Sequence, residues 1–229
     1  MNVAIMQPYL FPYIGYYQLV SHVDSFVFFD DVNFIKGGYI AKNYIRGIRS
    51  APVRFCLGVE KQSQNRRIND HKFVMDCHKA RASIMFCYEN SANFHSVMPL
   101  INDVIFSDDR NVSRLASKSI KTVFEYLGLE KKFLFSSEIG NPKSLRGQDR
   151  IIDLCKNLGA TGYTNAIGGT DLYQRDVFEK EGITLGFIRS LPSGLEFDGQ
   201  NCNNFSIIDS LMCCPKDIVI KMLGAYEIV

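Results

Sequence analysis

Val3-Ala4-Ile5-Met6 and Ser25-Phe26-Val27-Phe28-Phe29 are the two stretches on which the fold turns. Each is a short continuous apolar run bounded by turn or polar residues, the pattern of a buried strand. Between them lie a turn-rich segment, Gln7-Pro8-Tyr9-Leu10-Phe11-Pro12-Tyr13, and a run from Ile14 to Val23 whose apolar spacing suits a short helix. Strand, helix and strand within roughly 30 residues make a βαβ unit, whose two strands are parallel. The expected fold class is therefore α/β, with a mostly parallel sheet built from such units.

Outward from that unit, residues from Ile40 to Val59 read as strands or extended loop, and a helical middle follows. His71 to Cys87 and Phe94 to Phe106 are candidate helices. A third begins after the N-cap residue Asn111: Val112, Leu115, Ala116, Ile120, Val123, Phe124 and Leu127 form one apolar stripe, and Gly128 stands where a C-terminal cap belongs. Leu145 to Leu158, closed by Gly159, is a fourth. Residues 70–158 are thus expected as a helical insertion within a single domain spanning 1–229. The α/β rhythm then returns. Gly162-Tyr163-Thr164 reads as a strand leading into Asn165-Ala166-Ile167-Gly168-Gly169. A helix capped by Thr170 is expected to run to about Glu181, before a strand from Ile183 to Ile188. Two helices close the chain, with Pro215 in the first turn of the last.

The composition is that of a globular protein: 46% hydrophobic and 22% charged in 229 residues, enough for one sizeable core. No stretch reaches the roughly 20 apolar residues that span a bilayer, so no membrane insertion is expected. The opening Met-Asn-Val-Ala-Ile-Met-Gln-Pro has neither a basic region nor a cleavage site, so no signal peptide is expected. Seven cysteines, an odd number with no Cys-x-x-Cys pair, point to reduced thiols and a cytoplasmic location. The net charge of +2 conceals an asymmetry. From Lys36 to Arg81 there are eleven Lys/Arg against three Asp/Glu, a local balance of +8, while the rest carries 15 against 21. Such a concentration is either a solvated basic face or an electropositive cleft for phosphate. Without a helix-turn-helix, zinc or RNA-recognition signature, nucleic acid is not the expected partner.

Asp30 and Asp31 end the second predicted strand, a position that suits a general base as well as turn chemistry. Lys36, a few residues on, could bind phosphate or pair with these carboxylates. Gln7, Tyr9 and Tyr16 belong to a proline-braced aromatic segment at the carboxyl end of the first strand, the edge where open α/β sheets bind ligands. Asn165, Gly168 and Gly169 precede a predicted helix start, whose N–H groups and dipole favour an anion. Asp209 follows Ser206 at the capping-box spacing, which favours a capping role over catalysis. His71 and His78 are seven apart and could share a helix face. No set of ligands with metal spacing accompanies them, so no metal site is expected.

Several of these segments resemble the WbqC-like family. Met6-Gln7-Pro8-Tyr9-Leu10-Phe11-Pro12-Tyr13-Ile14-Gly15-Tyr16-Tyr17-Gln18-Leu19 is similar to that family's opening motif, and Phe28 to Lys36 to its second. Asn165 to Tyr173 and Ser206 to Met212 are similar to its later motifs, in the same order. Ala41-Lys42-Asn43-Tyr44 departs from an Asn-Arg-Asn type sequence but keeps Asn43 in register, which makes Asn43 a substrate-binding candidate. The resemblance implies an enzyme of bacterial O-antigen or capsule assembly. On that basis it would transfer a glycyl or other acyl group to the amine of a nucleotide-linked amino sugar. Asp30, Asp31 and Lys36 would be catalytic. Gln7, Tyr9, Tyr16, Asn43, Asn165, Gly168, Gly169 and Asp209 would bind substrate. The sequence names no cofactor, and ATP or an activated acyl donor are the candidates such a transfer brings in. One alternative is a nucleotidyl- or adenylate-forming enzyme, weakened because the first loop holds no histidine. Another is a non-catalytic sugar-binding or scaffolding subunit, for which the aromatic segment would suit sugar stacking.

Overall fold

A computed structural model describes residues 1–140, 144–202 and 205–229. The opening βαβ unit consists of β1 (Asn2–Met6), α1 (Ile14–His22) and β2 (Ser25–Phe28). The strands run parallel, with Ala4 opposite Phe26 and Ile5 opposite Val27. Successive residues of a strand face opposite ways. Ala4, Phe26 and Phe28 therefore enter a core shared with α1, while Val3, Ile5 and Val27 enter a second core on the other face.

From Ile40 to Val59 the chain makes an antiparallel hairpin of its own, β3 (Lys42–Arg46) with β4 (Pro52–Cys56). Three helices follow: α2 (His78–Tyr88), α3 (Phe94–Ile105) and α4 (Val112–Leu127). Both ends of α4 are capped as its sequence suggests. Asn111 Oδ1 accepts the Arg114 N–H at 3.1 Å. Gly128 takes φ 72°, and the N–H groups of Gly128 and Leu129 close on the Glu125 and Phe124 carbonyls at 3.0 and 2.9 Å.

The remaining elements are β5 (Lys132–Phe135), α5 (Gly147–Asn157), β6 (Gly162–Ala166), α6 (Arg175–Lys180) and β7 (Thr184–Ser190). They are followed by the short pair β8 (Glu196–Phe197) and β9 (Gln200–Asn201), then α7 (Ile207–Cys213), α8 (Lys216–Leu223) and β10 (Tyr226–Ile228). The central sheet has the order β5-β2-β1-β6-β7-β10. It is parallel apart from β10, which lies antiparallel to β7. Helices α5 and α6 cover one face; α1, α4 and α8 belong to the core of the other. The chain moves outward from β1 to β2 and β5, then returns to the far side of β1 for β6 and β7. An open sheet with such a reversal binds ligands beyond the carboxyl ends of its strands. Among the described residues no helix is long and apolar enough to cross a membrane.

The structure departs from the sequence-based expectation in several places. β5 and β10 carry no strand signal, because each is a short edge strand that owes its conformation to one neighbour. Helix α2 begins at His78 rather than His71; Lys72 and Phe73 instead bridge to Asn111 and Val59. The helix expected from Thr170 is a 3₁₀ segment, Ile167–Leu172, followed by the six-residue α6. Two adjacent glycines are poor helix formers, and extended backbone at Tyr173 and Gln174 separates the two pieces. Within residues 70–158, α2, α3 and α4 share the core of α1 and α7, and β5 joins the central sheet.

Candidate functional site

Past the end of β2, Asp30 and Asp31 share the Ser136 hydroxyl but otherwise take different partners. Asp30 is 3% exposed, and its carboxylate receives four donors. Ser136 Oγ and the Ser137 N–H reach Oδ1 at 3.1 and 3.0 Å; Ser137 Oγ and Asn69 Nδ2 reach Oδ2 at 2.8 and 3.2 Å. Asp31 accepts Ser136 Oγ at 2.6 Å and pairs with Arg150 Nη2 at 2.6 Å. The Arg150 guanidinium also lies over the Phe29 ring, 4.9 Å from its centre. Ser136 and Ser137 follow β5 directly, and Arg150 stands in α5, so parallel pairing of β2 with β5 brings these groups together. One hydroxyl, Ser136 Oγ, lies within reach of both carboxylates but has one proton to donate. For Asp30 to take a proton from a ligand, the exposed Ser137 hydroxyl must turn away.

The basic stretch is joined to this edge by backbone hydrogen bonds. The N–H groups of Phe34, Ile68 and Asn69 donate to the Arg66, Val32 and Asp30 carbonyls at 2.9, 2.9 and 3.1 Å. Buried His71 secures the loop: Nδ1 donates to the Arg67 carbonyl at 2.7 Å, and Nε2 accepts the Ser63 N–H at 3.2 Å. The result is a cavity of about 650 Å³ into which Arg66, Arg67, Arg146 and Arg150 project against Asp31 and Asp70. Four guanidinium groups against two carboxylates leave the lining net positive, a chemistry that suits an anion, and guanidinium matches phosphate oxygens two at a time. On the far side of Arg67 and Asp70 lies a smaller cavity of about 300 Å³, lined also by Asp30, Asn69, Arg114 and Glu138. A larger hollow of about 720 Å³ opens near Asp24, Lys131 and Lys132 at the amino ends of β2 and β5, the edge away from ligand sites in open sheets.

The other candidate residues are dispersed. Lys36 is exposed and forms no ion pair or hydrogen bond among the described residues; Arg150 holds the place beside the carboxylates that Lys36 was expected to take. Tyr16 is buried and donates to the Gln7 carbonyl at 2.9 Å, and burial pushes its phenol well above the usual range. Tyr9 packs between Tyr16 and Tyr39, its ring tilted by 45° and 51° to theirs. Gln7 Oε1 is buried without a hydrogen-bond partner among the described residues, at the point where strand order reverses between β1 and β6. Asn43 Nδ2 donates to the Phe11 carbonyl at 2.7 Å, as Ser206 Oγ does at 2.6 Å. Both hold Phe11 in a left-handed conformation of φ 42°.

Asn165 Nδ2 donates to the hydroxyls of Tyr163 and Tyr173 at 3.0 and 3.1 Å, and a Cβ on Gly169 would meet that amide at 3.1 Å. Gly168 borders open space. After Asn165 the chain forms a 3₁₀ segment, which holds Gly168 and Gly169, and a six-residue helix in place of the longer helix the sequence suggests. Asp209 also differs from expectation. Ser206 Oγ does cap α7 by accepting the Ile208 N–H at 3.3 Å. Asp209 instead turns into the core, where Arg46 Nη2 reaches it at 2.8 Å and Tyr88 Oη at 2.7 Å. Burial, with the Asp209 carboxylate beside it, holds the Tyr88 phenol far above its ordinary range. The Ser206 N–H that a capping box would offer Asp209 donates instead to the Tyr44 carbonyl at 2.8 Å, and Arg46 meets the carboxylate through both Nε and Nη2.

The sequence profile of the WbqC-like protein family matches residues 7–220. The chain belongs to the WbqC-like family. The match runs through the Gln7 segment, Asp30–Asp31, the arginine loop, Arg150 and Asp209. The chain is also 24% identical over 192 residues, 80% of each protein, to a Mycobacterium tuberculosis (strain ATCC 25618 / H37Rv) protein named "Uncharacterized protein Rv1507c". No solved structure matches it. Within this WbqC-like chain, Ser136, Ser137, Asn69 and the four arginines escaped sequence reading. The only signal for any of them was the positive balance from Lys36 to Arg81, which contains Arg66 and Arg67.

Proposed function

We propose that this WbqC-like protein is an enzyme of bacterial surface-polysaccharide assembly that transfers an acyl or aminoacyl group to the amine of a nucleotide-linked amino sugar. The observation that carries this reading is the four-arginine cavity beside Asp30 and Asp31 at the carboxyl edge of the sheet. A ligand diphosphate there meets guanidinium groups that neutralise its charge, with the buried Arg150 already held by Asp31. The amine nitrogen attacks the acyl carbonyl, the activating group departs with its electron pair, and Asp30 Oδ2 takes the amine proton after Ser137 turns aside. Asp31 holds Arg150 in place.

A thermal-shift series with UDP- and dTDP-linked amino sugars, ATP and free glycine tests the reading, because a ligand that binds only the folded state raises the melting temperature. Stabilisation by a nucleotide-linked sugar, lost on changing Arg66 and Arg67 to Gln, is the expected result. No response to any nucleotide-linked sugar refutes it. A second reading, a nucleotidyl- or adenylate-forming enzyme, is favoured by the strand-order reversal at β1 and β6 with the unpartnered Gln7 Oε1 beside it. Stabilisation by ATP alone, abolished by Gln7→Leu, would select that reading.

A further inference from the structure

The two cavities flanking Arg67 and Asp70 differ in chemistry, and the difference orients a ligand. Asp31 lines the larger and Asp30 the smaller. Positive groups dominate the larger cavity. In the smaller, Asp70 and Glu138 face Arg114 beside the Phe135 ring and the Asn69 amide. Among the described residues Glu138 forms no hydrogen bond or ion pair, with Lys121 a cation near enough to feel its charge, and Asp70 accepts only the Arg67 N–H, at 3.2 Å on one oxygen. These carboxylates thus keep acceptor capacity for a ligand. Carboxylates, an amide and the Phe135 side chain suit a sugar ring, which offers hydroxyl donors at its rim and C–H groups to apolar surface; one face of Phe135 carries Lys121 Nζ, 5.1 Å from the ring centre. Two anionic oxygens also favour a ring that bears an ammonium over one that bears only hydroxyls.

We infer that a single nucleotide-linked amino sugar bridges the two cavities, with its diphosphate among Arg66, Arg146 and Arg150 and its amino-sugar ring in the smaller cavity against Asp70, Glu138 and Phe135. Arg67 stands at the junction and contacts the phosphate next to the ring. This rests on the proposed function and specifies the orientation of its substrate. It places the reactive amine on the Asp30 and Ser137 side, away from Asp31.

Isothermal titration of the intact protein with UDP, UDP-glucose and UDP-glucosamine, and with the dTDP counterparts, tests the arrangement. The wild type is expected to bind the glucosamine conjugate about tenfold more tightly than the glucose conjugate, the scale of one hydrogen bond to a charged group. The double variant Asp70→Asn with Glu138→Gln should lose that preference while binding UDP no more weakly than the wild type, since Asp70 also borders the arginine cavity. The double variant Arg66→Gln with Arg67→Gln should weaken all three ligands. Both carboxylates are exposed, so these changes leave the fold intact, which an unchanged melting temperature verifies. Binding of the conjugates with no preference for the amine, or a preference that survives the Asp70 and Glu138 changes, overturns the orientation alone. Absence of binding by every nucleotide and conjugate overturns the proposed function and this inference with it.

Discussion

Changing Asp209 to Asn should destabilise the protein far more than removing an exposed carboxylate. Asp209 is fully buried and accepts Arg46 Nη2 at 2.8 Å, Arg46 Nε at 3.1 and 3.2 Å, and the Tyr88 hydroxyl at 2.7 Å. Taking one member from a buried ion pair costs about 3–5 kcal/mol, because the surviving charge stays desolvated. Arg46 would not be wholly abandoned. Its Nη2 also donates to the Asn201 carbonyl at 2.9 Å, and its guanidinium lies 4.7 Å from the centre of the Phe205 ring. The lower end of the range, about 3 kcal/mol, is therefore expected, or a fall in melting temperature of about 6–12 °C for a chain of this size. Urea denaturation measures it, with Glu227→Gln as control. Glu227 pairs with Arg189 at 3.0 Å, but both side chains are about half exposed (46% and 52%), and such a pair contributes under about 1 kcal/mol. The double change Arg46→Met with Asp209→Leu should recover much of the loss, since apolar replacement of a buried pair removes the stranded charge. The reasoning fails if Asp209→Asn costs no more than Glu227→Gln.

Asp31→Asn takes from the buried Arg150 the carboxylate that holds it, so UDP affinity should fall severalfold and stability should drop as for a broken buried pair, measured by titration calorimetry and urea denaturation. A rise in UDP affinity at low salt would show that Asp31 acts only as a competing charge and does not position the guanidinium. Gly128→Ala forces a Cβ onto a φ of 72° with nothing within 4 Å of it. The cost should be about 1 kcal/mol in urea, from backbone strain alone, and no measurable cost would refute the left-handed cap. Burial and, secondarily, nearby Lys131 lower the His22 pKa below its ordinary 6.5. As pH falls through 6.5 the unfolded chain takes the proton first, so this part of the stability is complete above 6.5 and declines down to the folded pKa. His22→Gln should flatten that stretch of the melting-temperature profile against pH; an unchanged slope would exclude the ring.

Features written in contiguous residues were legible from them. The opening βαβ unit follows from two buried apolar runs and a helical spacing between them. Helix α4 follows from a stripe with Asn111 and Gly128 at its ends, and both caps form as written. Asp30 and Asp31 were also locatable, since they directly end a recognisable strand. The family, too, was recognisable from motifs in order along the chain.

What those residues touch was settled by tertiary structure, because the partners come from distant segments whose pairing energy is invisible locally. Arg150 meets Asp31 across 119 positions, and Arg46 meets Asp209 across 163. β5 is a strand because β2 offers it a parallel neighbour, and that pairing delivers Ser136 and Ser137 to Asp30. Ser206 and Asp209 have the spacing of a local cap, yet Asp209 leaves it for a guanidinium that folding brings within 2.8 Å. The sequence by itself determined the α/β class, the capped helix and the edge at which to look for a site. Only the packed chain decided which charges face that edge, since a buried charge goes where folding supplies its opposite.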